Sequence, residues 1–241
     1  MKKVKINKGD IPSLQKQLAG LSAEDVLRWS FEQFDSDKIA IASSLGGEDQ
    51  VLTEMAVRIN PDVNIFTLDT GRLFQETYDV LEATMKKYNI SIQVLFPDSQ
   101  AVEDMVSNYG PNLFYSSIDN RKYCCNVRKV EPLKRKLATL DVWLTGLRRQ
   151  QSVTRNDMKN IEWDEGNGLI KINPLTEWSE EDVWNYIKDN KIPYNQLHDK
   201  NFPSIGCAPC TRAVEPGEDV RAGRWWWENP ELKECGLHAK N

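Results

Sequence analysis

Short apolar runs, each followed by a turn and an amphipathic helical pattern, constrain the fold of this chain most strongly. The clearest run covers residues 39–42, and beyond it apolar side chains recur at a 3.6-residue spacing until Pro61. Further runs predict strands over 63–68, 90–96 and 141–145, with helices over 74–88 and 127–140 between them. Ser179 and Asp182 predict the capped start of another helix. This alternation predicts an α/β fold with a mostly parallel sheet flanked by helices.

The domain organisation is predicted from length and from the C-terminal composition. The 241 residues fit one or two domains, without an internal repeat or a low-complexity linker. The last 40 residues have little periodicity and are rich in Pro, Gly, Cys and Trp, which predicts an irregular C-terminal tail. We therefore predict an α/β core over 1–205 and a C-terminal segment over 206–241, in one structural domain overall.

Composition excludes several classes of protein. The chain is 40% hydrophobic and 28% charged, which is typical of a globular protein. No apolar run approaches the ~18 residues that a membrane span needs, and the basic N-terminus lacks the apolar stretch of a secretory signal. A net charge of −5 disfavours non-specific nucleic-acid binding. We expect a cytoplasmic protein with no membrane and no nucleic-acid partner, and the sequence leaves a homo-oligomer open.

Positive charge is concentrated in one stretch of the chain. Residues 121–155 contain ten basic and two acidic side chains, so this stretch is +8 and the rest of the chain is −13. A solvated helix face accounts for the lysines and arginine at 134–136. Arg148 and Arg149 differ, because they follow an apolar strand-like run at a glycine, where small anions often bind. We interpret them as candidates for binding a compact anion.

The turn after the first strand has the composition of a phosphate-binding loop. Residues 43–49 read SSLGGED, so Ser43, Ser44, Gly46, Gly47 and Glu48 lie at the carboxyl end of a strand and at a helix N-terminus. Neither GxxxxGK[ST] nor GxGxxG is present. The loop resembles the SGGxDS PP-loop of adenine-nucleotide α-hydrolases and departs from it at Leu45 and Gln50. An ordinary tight turn between strand and helix is the alternative.

A second turn residue, Asp69, is a further candidate for nucleotide binding. Asp69-Thr70-Gly71 follows the second predicted strand, where it could contact the ribose or the adenine.

Four cysteines form two close pairs that suit a metal centre. Cys124 and Cys125 are adjacent, and Cys207 and Cys210 form a Cys-x-x-Cys pair. Four thiolates suit zinc or an iron–sulfur cluster. Buried structural cysteines, a strained vicinal disulfide and a thioredoxin-like redox pair are the alternatives, although no strand leads into the Cys-x-x-Cys pair.

The fifth cysteine, Cys235, lies in the C-terminal sequence ECGLH with His238 three residues on. A thiol that must meet first a buried substrate and then a protein reductant would benefit from such a tail. An incidental cysteine is the alternative.

These motifs together resemble the assimilatory adenylyl-sulfate (APS) reductases of the sulfonucleotide reductase family. The matching pieces are SSLGGED, LDTGRLF, KYCCNVRKVEPL, GLRRQQSVTR, GCAPCTR, EDVRAGRWWWE and ECGLH. The resemblance implies a [4Fe–4S] cluster on Cys124, Cys125, Cys207 and Cys210, with Cys235 as the nucleophile. It also implies that Lys129, Arg221 and Arg224 approach the phosphosulfate with His238 nearby, and that the PP-loop holds the nucleotide.

The same resemblance implies a thioredoxin-dependent reduction of adenylyl sulfate to sulfite and AMP in sulfate assimilation. Cys235 would become an S-sulfocysteine, and thioredoxin or a glutaredoxin-like reductant would release sulfite. Family members restricted to the 3′-phosphorylated nucleotide lack the four cluster cysteines. The alternatives are reduction of 3′-phosphoadenylyl sulfate, alone or in addition, a PP-loop RNA-thiolating enzyme, and a metal-bound redox-sensing module.

Overall fold

Six strands form one sheet in this computed structural model, which describes residues 6–151 and 157–228. The strands are β1 (Ile39–Ala42), β2 (Ile65–Leu68), β3 (Gln93–Leu95), β4 (Val142–Leu144), β5 (Ile161–Asp164) and β6 (Leu169–Ile172). Their order in the sheet is β3-β2-β1-β4-β6-β5. The pairs β1–β2, β1–β4 and β4–β6 are parallel, and β5 pairs antiparallel with β6. The predicted mostly parallel α/β sheet is therefore confirmed.

The helices alternate with the strands along the chain. They are α1 (Ile11–Leu18), α2 (Ala23–Gln33), α3 (Gly47–Ile59), α4 (Gln75–Tyr88), α5 (Ser99–Tyr109), α6 (Ile118–Cys125), α7 (Glu131–Leu137) and α8 (Glu180–Asp189). Short 3₁₀ turns cover Lys8–Asp10, Leu113–Tyr115, Arg149–Gln151, Gln196–Lys200 and Ala208–Cys210. None of the described helices is long and apolar enough to cross a membrane.

Local sequence signals account for several element boundaries. Helix α3 ends at Ile59, two residues before Pro61, and Ser179 caps α8 by accepting a hydrogen bond from the Asp182 backbone amide. The Asp182 side chain in turn accepts from the Ser179 backbone amide, which completes the predicted capping box. Strand β3 is shorter than the predicted 90–96 run.

One predicted helix has a different internal structure. The sequence predicts a single helix over 127–140, whereas the chain forms α6, a π-helical turn over Asn126–Val130 and then α7. The helical prediction is confirmed from residue 127 to Leu137, whereas the helix ends three residues earlier than predicted and apolar periodicity did not show the π-turn.

The chain divides into two compact units. The first comprises Met1–Thr67, Val80–Gln93 and Leu137–Tyr194, and the second comprises Leu68–Asp79, Val94–Lys136 and Asn195–Asn241. Each unit has its own apolar cluster. In the first, Ile41, Leu144 and Ile172 of the sheet pack with apolar faces of the helices, and in the second, Met105 and Phe114 pack with Trp225. The predicted division into 1–205 and 206–241 stays a prediction.

Candidate functional site

The loop between β1 and α3, in the first unit, contains a residue in an unusual backbone conformation. Leu45 has a φ of 63°, in the left-handed region that favours glycine, and its side chain is buried. The Ser43 hydroxyl accepts a hydrogen bond from the Leu45 amide at 3.1 Å. Leu45, one of the two positions where the loop departs from the PP-loop pattern, therefore adopts a backbone conformation that a glycine would adopt more easily.

Asp49 organises this loop, although the sequence analysis did not select it. Its Oδ2 accepts hydrogen bonds from the Ser44 amide and the Ser44 hydroxyl, both at 2.6 Å, and its Oδ1 accepts from the Gly146 amide at 3.1 Å. Burial raises the pKa of the Asp49 carboxyl to about 6, although the hydrogen bonds from Ser44 oppose that rise. The signal that could have found it is its place in the loop, where SGGxDS also has an aspartate.

Gly146 is required where β4 ends, because the start of α3 approaches it closely. A Cβ at this position would overlap Asp49 Oδ1 and would lie 2.9 Å from the Asp49 backbone nitrogen. Backbone atoms of a helix cannot move aside easily. The glycine before the two arginines therefore fixes the loop against the strand end.

The two arginines after Gly146 both pair with carboxylates. Arg148 is buried, and it binds Glu48 through Nε at 2.9 Å and Nη2 at 2.8 Å. Arg149 binds Glu177 at 2.6 Å and also donates to the Met158 carbonyl. The structure thus brings Arg148 to the predicted nucleotide loop, whereas Arg149 extends toward Glu177. Their predicted contact with substrate stays a prediction.

The four cysteines outside the tail line one cavity in the second unit. None of the four forms a disulfide within the described part of the chain, so the vicinal disulfide considered above does not form. The cavity has a volume of about 400 Å³, part of which is open to solvent. Basic side chains share its lining, namely Arg72, Arg121, Arg128, Lys129 and Arg224. The structure therefore brings together four of the predicted cysteines, Lys129 and Arg224.

Two of these thiols are buried and resist ionisation. Burial raises the pKa of the Cys124 thiol, and burial together with the nearby Cys207 raises the pKa of the Cys210 thiol to about 12. The positive charges of Arg128 at Cys124 and of Lys129 at Cys210 act in the opposite direction. Thiolates at these positions need positive partners, which a bound metal centre and the basic lining both provide.

Arg128 joins the cysteine pair to a neighbouring turn, and the sequence analysis did not select it. Its Nη1 donates to the Thr70 carbonyl at 2.6 Å, and its side chain hydrogen-bonds to Cys124. The π-helical turn sets this position, since a π-turn inserts one residue and rotates the side chains that follow. A basic residue three positions after a cysteine pair was a visible signal.

The Asp69-Thr70-Gly71 turn supports the cysteine cavity. Asp69 Oδ1 accepts from the Gly71 amide at 2.7 Å and from the Tyr78 hydroxyl at 3.1 Å. The Thr70 hydroxyl lies 3.3 Å from the Cys207 sulfur. The predicted contact of Asp69 with a nucleotide stays a prediction. The turn does place the Thr70 hydroxyl beside the Cys207 sulfur.

Arg224 is held over a glycine at the rim of this cavity. A Cβ on Gly206 would overlap the Arg224 guanidinium, so the side chain occupies space that only glycine leaves. Arg221 lies three residues earlier, where its carbonyl accepts from the Arg224 amide at 3.0 Å, and it is not among the lining residues. Cys235 and His238 lie outside the described residues.

The donor set fits an iron–sulfur cluster better than a single metal ion. Among the described residues, no group of three or more His, Cys, Asp or Glu side chains could hold a metal ion. A lone zinc ion needs its sulfur donors ~2.3 Å from one centre. In a four-iron cluster each thiolate binds a different iron, so the four sulfurs stay farther apart around a larger group.

The fold places the chain in a class of nucleotide-binding proteins. Several nucleotide-binding folds share a mostly parallel sheet with a Gly-containing loop between β1 and α3, and the solved structures that resemble this chain assign it to the adenine-nucleotide α-hydrolase, or PP-loop, type. The crystal structure of Candida glabrata FMN adenylyltransferase in complex with ATP shares this fold at a TM-score of 0.57 and 14% identity, over 97% of this chain and 78% of that one.

Closer relatives define the family. The phosphoadenosine phosphosulfate reductase domain matches residues 38–213. An adenosine 5′-phosphosulfate reductase of Allochromatium vinosum is 56% identical over 204 residues, 85% of this chain and 80% of that protein. A phosphoadenylyl-sulfate reductase of Candida auris, solved as a phosphate complex, has 29% identity and a TM-score of 0.75, over 88% of this chain and 100% of that one. The chain belongs to the phosphoadenosine phosphosulfate reductase family.

Proposed function

We propose that this protein is an enzyme of sulfate assimilation that reduces adenosine 5′-phosphosulfate to sulfite and AMP. The observation that carries this proposal is the cavity in which four cysteines meet Lys129 and Arg224. The Allochromatium vinosum relative, at 56% identity, carries the name of this reductase. Four cysteines that form no disulfide suit a reducing compartment, so we place the reaction in the cytoplasm.

The cavity supports the proposal of a [4Fe–4S] cluster held by Cys124, Cys125, Cys207 and Cys210. Such a cluster would supply a fixed electrostatic and structural centre beside the basic residues. The two electrons of the reduction come from a dithiol, so the cluster need not change its oxidation state.

The basic residues are suited to a charged substrate. A phosphosulfate carries several negative charges, and Lys129 and Arg224 would bind it through charge-assisted hydrogen bonds, with Arg221 in the adjacent turn. In the first unit, Ser43, Ser44, Gly46 and Gly47 would bind the nucleotide with backbone amides at the start of α3. Glu48 is paired with Arg148, which lowers its repulsion of that nucleotide.

The chemical step belongs to Cys235 in this proposal. Its thiolate attacks the sulfate sulfur, an S–S bond forms, the S–O bond to the phosphate breaks, and AMP leaves with that electron pair. We propose that His238, three residues after Cys235 in the sequence, acts beside the reacting groups. A thioredoxin thiolate then attacks the Cys235 sulfur, and sulfite leaves with the electrons of the S–S bond. The second thiol of thioredoxin resolves the mixed disulfide, which returns Cys235 to its thiolate and leaves thioredoxin oxidised.

Turnover with a dithiol protein tests this function. Anaerobically purified protein, given adenosine 5′-phosphosulfate and reduced thioredoxin, is expected to release sulfite and AMP in equal amounts over many turnovers. Without thioredoxin, we expect at most one AMP per chain and no free sulfite. Failure to release AMP under either condition contradicts the proposal.

Reduction of the 3′-phosphorylated nucleotide is a second candidate. The Candida auris relative is named a phosphoadenylyl-sulfate reductase, and the basic stretch over 121–155 could accommodate another phosphate. The same assay with 3′-phosphoadenylyl sulfate measures kcat/KM for both substrates, and a ratio near one would assign dual use.

A further inference from the structure

A buried ion pair ties the last described residue of the chain to α6 in the second unit. Arg121 Nε lies 2.9 Å from Glu228 Oε1, and Arg121 Nη2 lies 2.7 Å from Glu228 Oε2. Both side chains are almost completely shielded from solvent, at 1% and 2% exposure. A bidentate arginine–carboxylate pair fixes the orientation of both groups as well as their distance.

The Trp225 ring contacts both Arg121 of this ion pair and Arg224. The Arg121 guanidinium is 4.6 Å from the Trp225 ring centre, and the Arg224 guanidinium is 4.9 Å from it. The Trp225 amide donates to the Cys210 carbonyl at 3.1 Å. The backbone of Trp225 has a φ of 44°, in the left-handed region that a tryptophan rarely adopts. Such a conformation persists only where the surrounding contacts determine it.

The chain continues from this point toward the proposed nucleophile. Cys235 follows Glu228 by seven residues. Arg224, which the proposed function assigns to the phosphosulfate, is four residues before Glu228 and in contact with Trp225. The contacts that hold Trp225 and Glu228 therefore also hold Arg224, which packs on Trp225. They also hold the residue from which the chain continues to Cys235.

We propose that Arg121, Trp225 and Glu228 form a positioning lock for the sulfur-transfer step. The lock holds the Arg224 guanidinium in place against Trp225 and anchors the chain that leads to Cys235. The lock acts through Arg224 and Cys235, since the Arg121 guanidinium is itself paired with Glu228. The proposal rests on the proposed function for its kinetic consequence, whereas its structural consequence, a fixed segment 224–228, is independent of it.

The burial of this pair argues against a role in stability alone. Buried ion pairs contribute little net stability, and apolar side chains of similar volume often replace them without loss. The pair does fix one geometry, since rotation of either group breaks a two-point contact between buried charges. That property suits a residue that positions another.

A pair of glutamate variants tests the lock. Glu228→Gln removes the charge and one acceptor, and Glu218→Gln is the matched control, because Glu218 also forms a two-point pair with an arginine, Arg212, but on the surface. Each protein is checked for iron content, thermal unfolding, hydrogen exchange over 224–228, and the rate of S-sulfo adduct formation at saturating adenosine 5′-phosphosulfate without reductant.

The lock predicts faster exchange over 224–228 in Glu228→Gln, and adduct formation slowed by roughly ten- to a hundredfold, with KM changed much less. Glu218→Gln should match the wild type in both. If Glu228→Gln does not fold, Arg121→Lys replaces it, since it keeps the charge but cannot form the two-point contact. A purely structural pair would lower the unfolding temperature and leave exchange and adduct rate in the folded protein unchanged.

The two proposals fail in different ways. If the wild type forms no adduct, the proposed function is wrong, and exchange over 224–228 alone decides on the lock. If the wild type reacts and Glu228→Gln reacts equally fast with unchanged exchange, the lock is wrong and the function stands.

Discussion

Gly206 shows how one missing Cβ sets the position of a charged side chain. The Arg224 guanidinium occupies the space above Gly206 where a Cβ would lie. The atoms that would overlap are at the far end of a flexible side chain, so that chain can move aside at little cost to the fold. A side chain at position 206 would therefore displace Arg224 while changing the stability of the protein little.

We predict that Gly206→Ala lowers kcat/KM for adenosine 5′-phosphosulfate by roughly tenfold, the loss expected when one charge-assisted hydrogen bond is weakened. The unfolding temperature should fall only slightly. Gly9→Ala is the matched control, since nothing lies within 4 Å of a Cβ at that position. Steady-state kinetics and thermal unfolding of both variants check this, and equal kcat/KM in the two would contradict it.

Asp49 gives a prediction for stability against pH. Its pKa is about 6 in the folded protein, whereas an exposed aspartate has a pKa of 3.8. Between these values the folded state keeps the proton that the unfolded state has lost. The stabilisation of the folded state by protonated Asp49 is therefore fully present below pH 3.8 and is lost as pH rises through about 6.

We expect wild type to lose up to about 3 kcal/mol relative to Asp49→Asn between pH 4 and pH 7, at about 1.4 kcal/mol per pKa unit. Urea unfolding of both proteins across this range measures the difference. Asp182→Asn is a useful contrast, because hydrogen bonds from Ser179 lower the pKa of Asp182, and its contribution is lost as pH falls. A difference between wild type and Asp49→Asn that is flat with pH would contradict the prediction.

At the scale of elements, the run from α6 through the π-helical turn to α7 carries much of the cysteine cavity. Cys124 and Cys125 end α6, Arg128 and Lys129 lie on the π-turn, and Leu133 and Leu137 of α7 are buried. Because the π-turn changes the direction of every later side chain, the same helix can present cysteines and basic residues to one cavity.

Two lysines on this run provide a matched comparison. Lys129 lines the cavity, whereas Lys134 is exposed on α7. Lys129→Ala should lower kcat/KM by roughly ten- to a hundredfold, since a hydrogen bond to a charged group is worth about 1.5–3 kcal/mol. Lys134→Ala should behave like the wild type. Steady-state kinetics check both, and equal effects of the two substitutions would mean that Lys129 acts only through net charge.

The sequence predicted most elements and missed particular geometries, for physical reasons. Apolar periodicity and Pro61 were sufficient for β1 and α3, and the Ser179 capping box located α8, because these signals are local. The π-turn was missed because it is only five residues long, which is too short for a shift in apolar spacing to show in the sequence. The Asp49 contact with Gly146 and the Arg121–Glu228 pair join residues 97 and 107 positions apart, which no local pattern encodes.

The candidate site was predicted unevenly for a related reason. Cysteine pairs and glycine-rich loops are conspicuous, so the four cysteines and the β1–α3 loop were selected from the sequence. The carboxylates that pair with Arg148 and Arg149 could not be predicted from the sequence. A surplus of basic residues does not indicate which carboxylate forms a salt bridge with each of them.

At the scale of the whole molecule, the two units carry separate parts of the proposed chemistry, and the metal content of the second unit can be measured directly. We predict four irons and four labile sulfides per chain. Serine at Cys124, Cys125, Cys207 or Cys210 should abolish iron binding, because one missing thiolate exposes an iron of the cluster. Cys235→Ser is the control and should keep the full iron content. Metal analysis that finds one zinc and no labile sulfide would contradict the cluster.

The reaction of Cys235 with substrate decides most directly whether these parts form a reductase of adenosine 5′-phosphosulfate. Wild-type protein mixed with this nucleotide in the absence of reductant is analysed by mass spectrometry after digestion, beside Cys235→Ser. We predict the mass of one added SO₃ group on the wild-type peptide that contains Cys235, one AMP released per chain, and neither product from the variant. An adduct on another cysteine, or sulfite production by Cys235→Ser at a rate near that of the wild type, would contradict it.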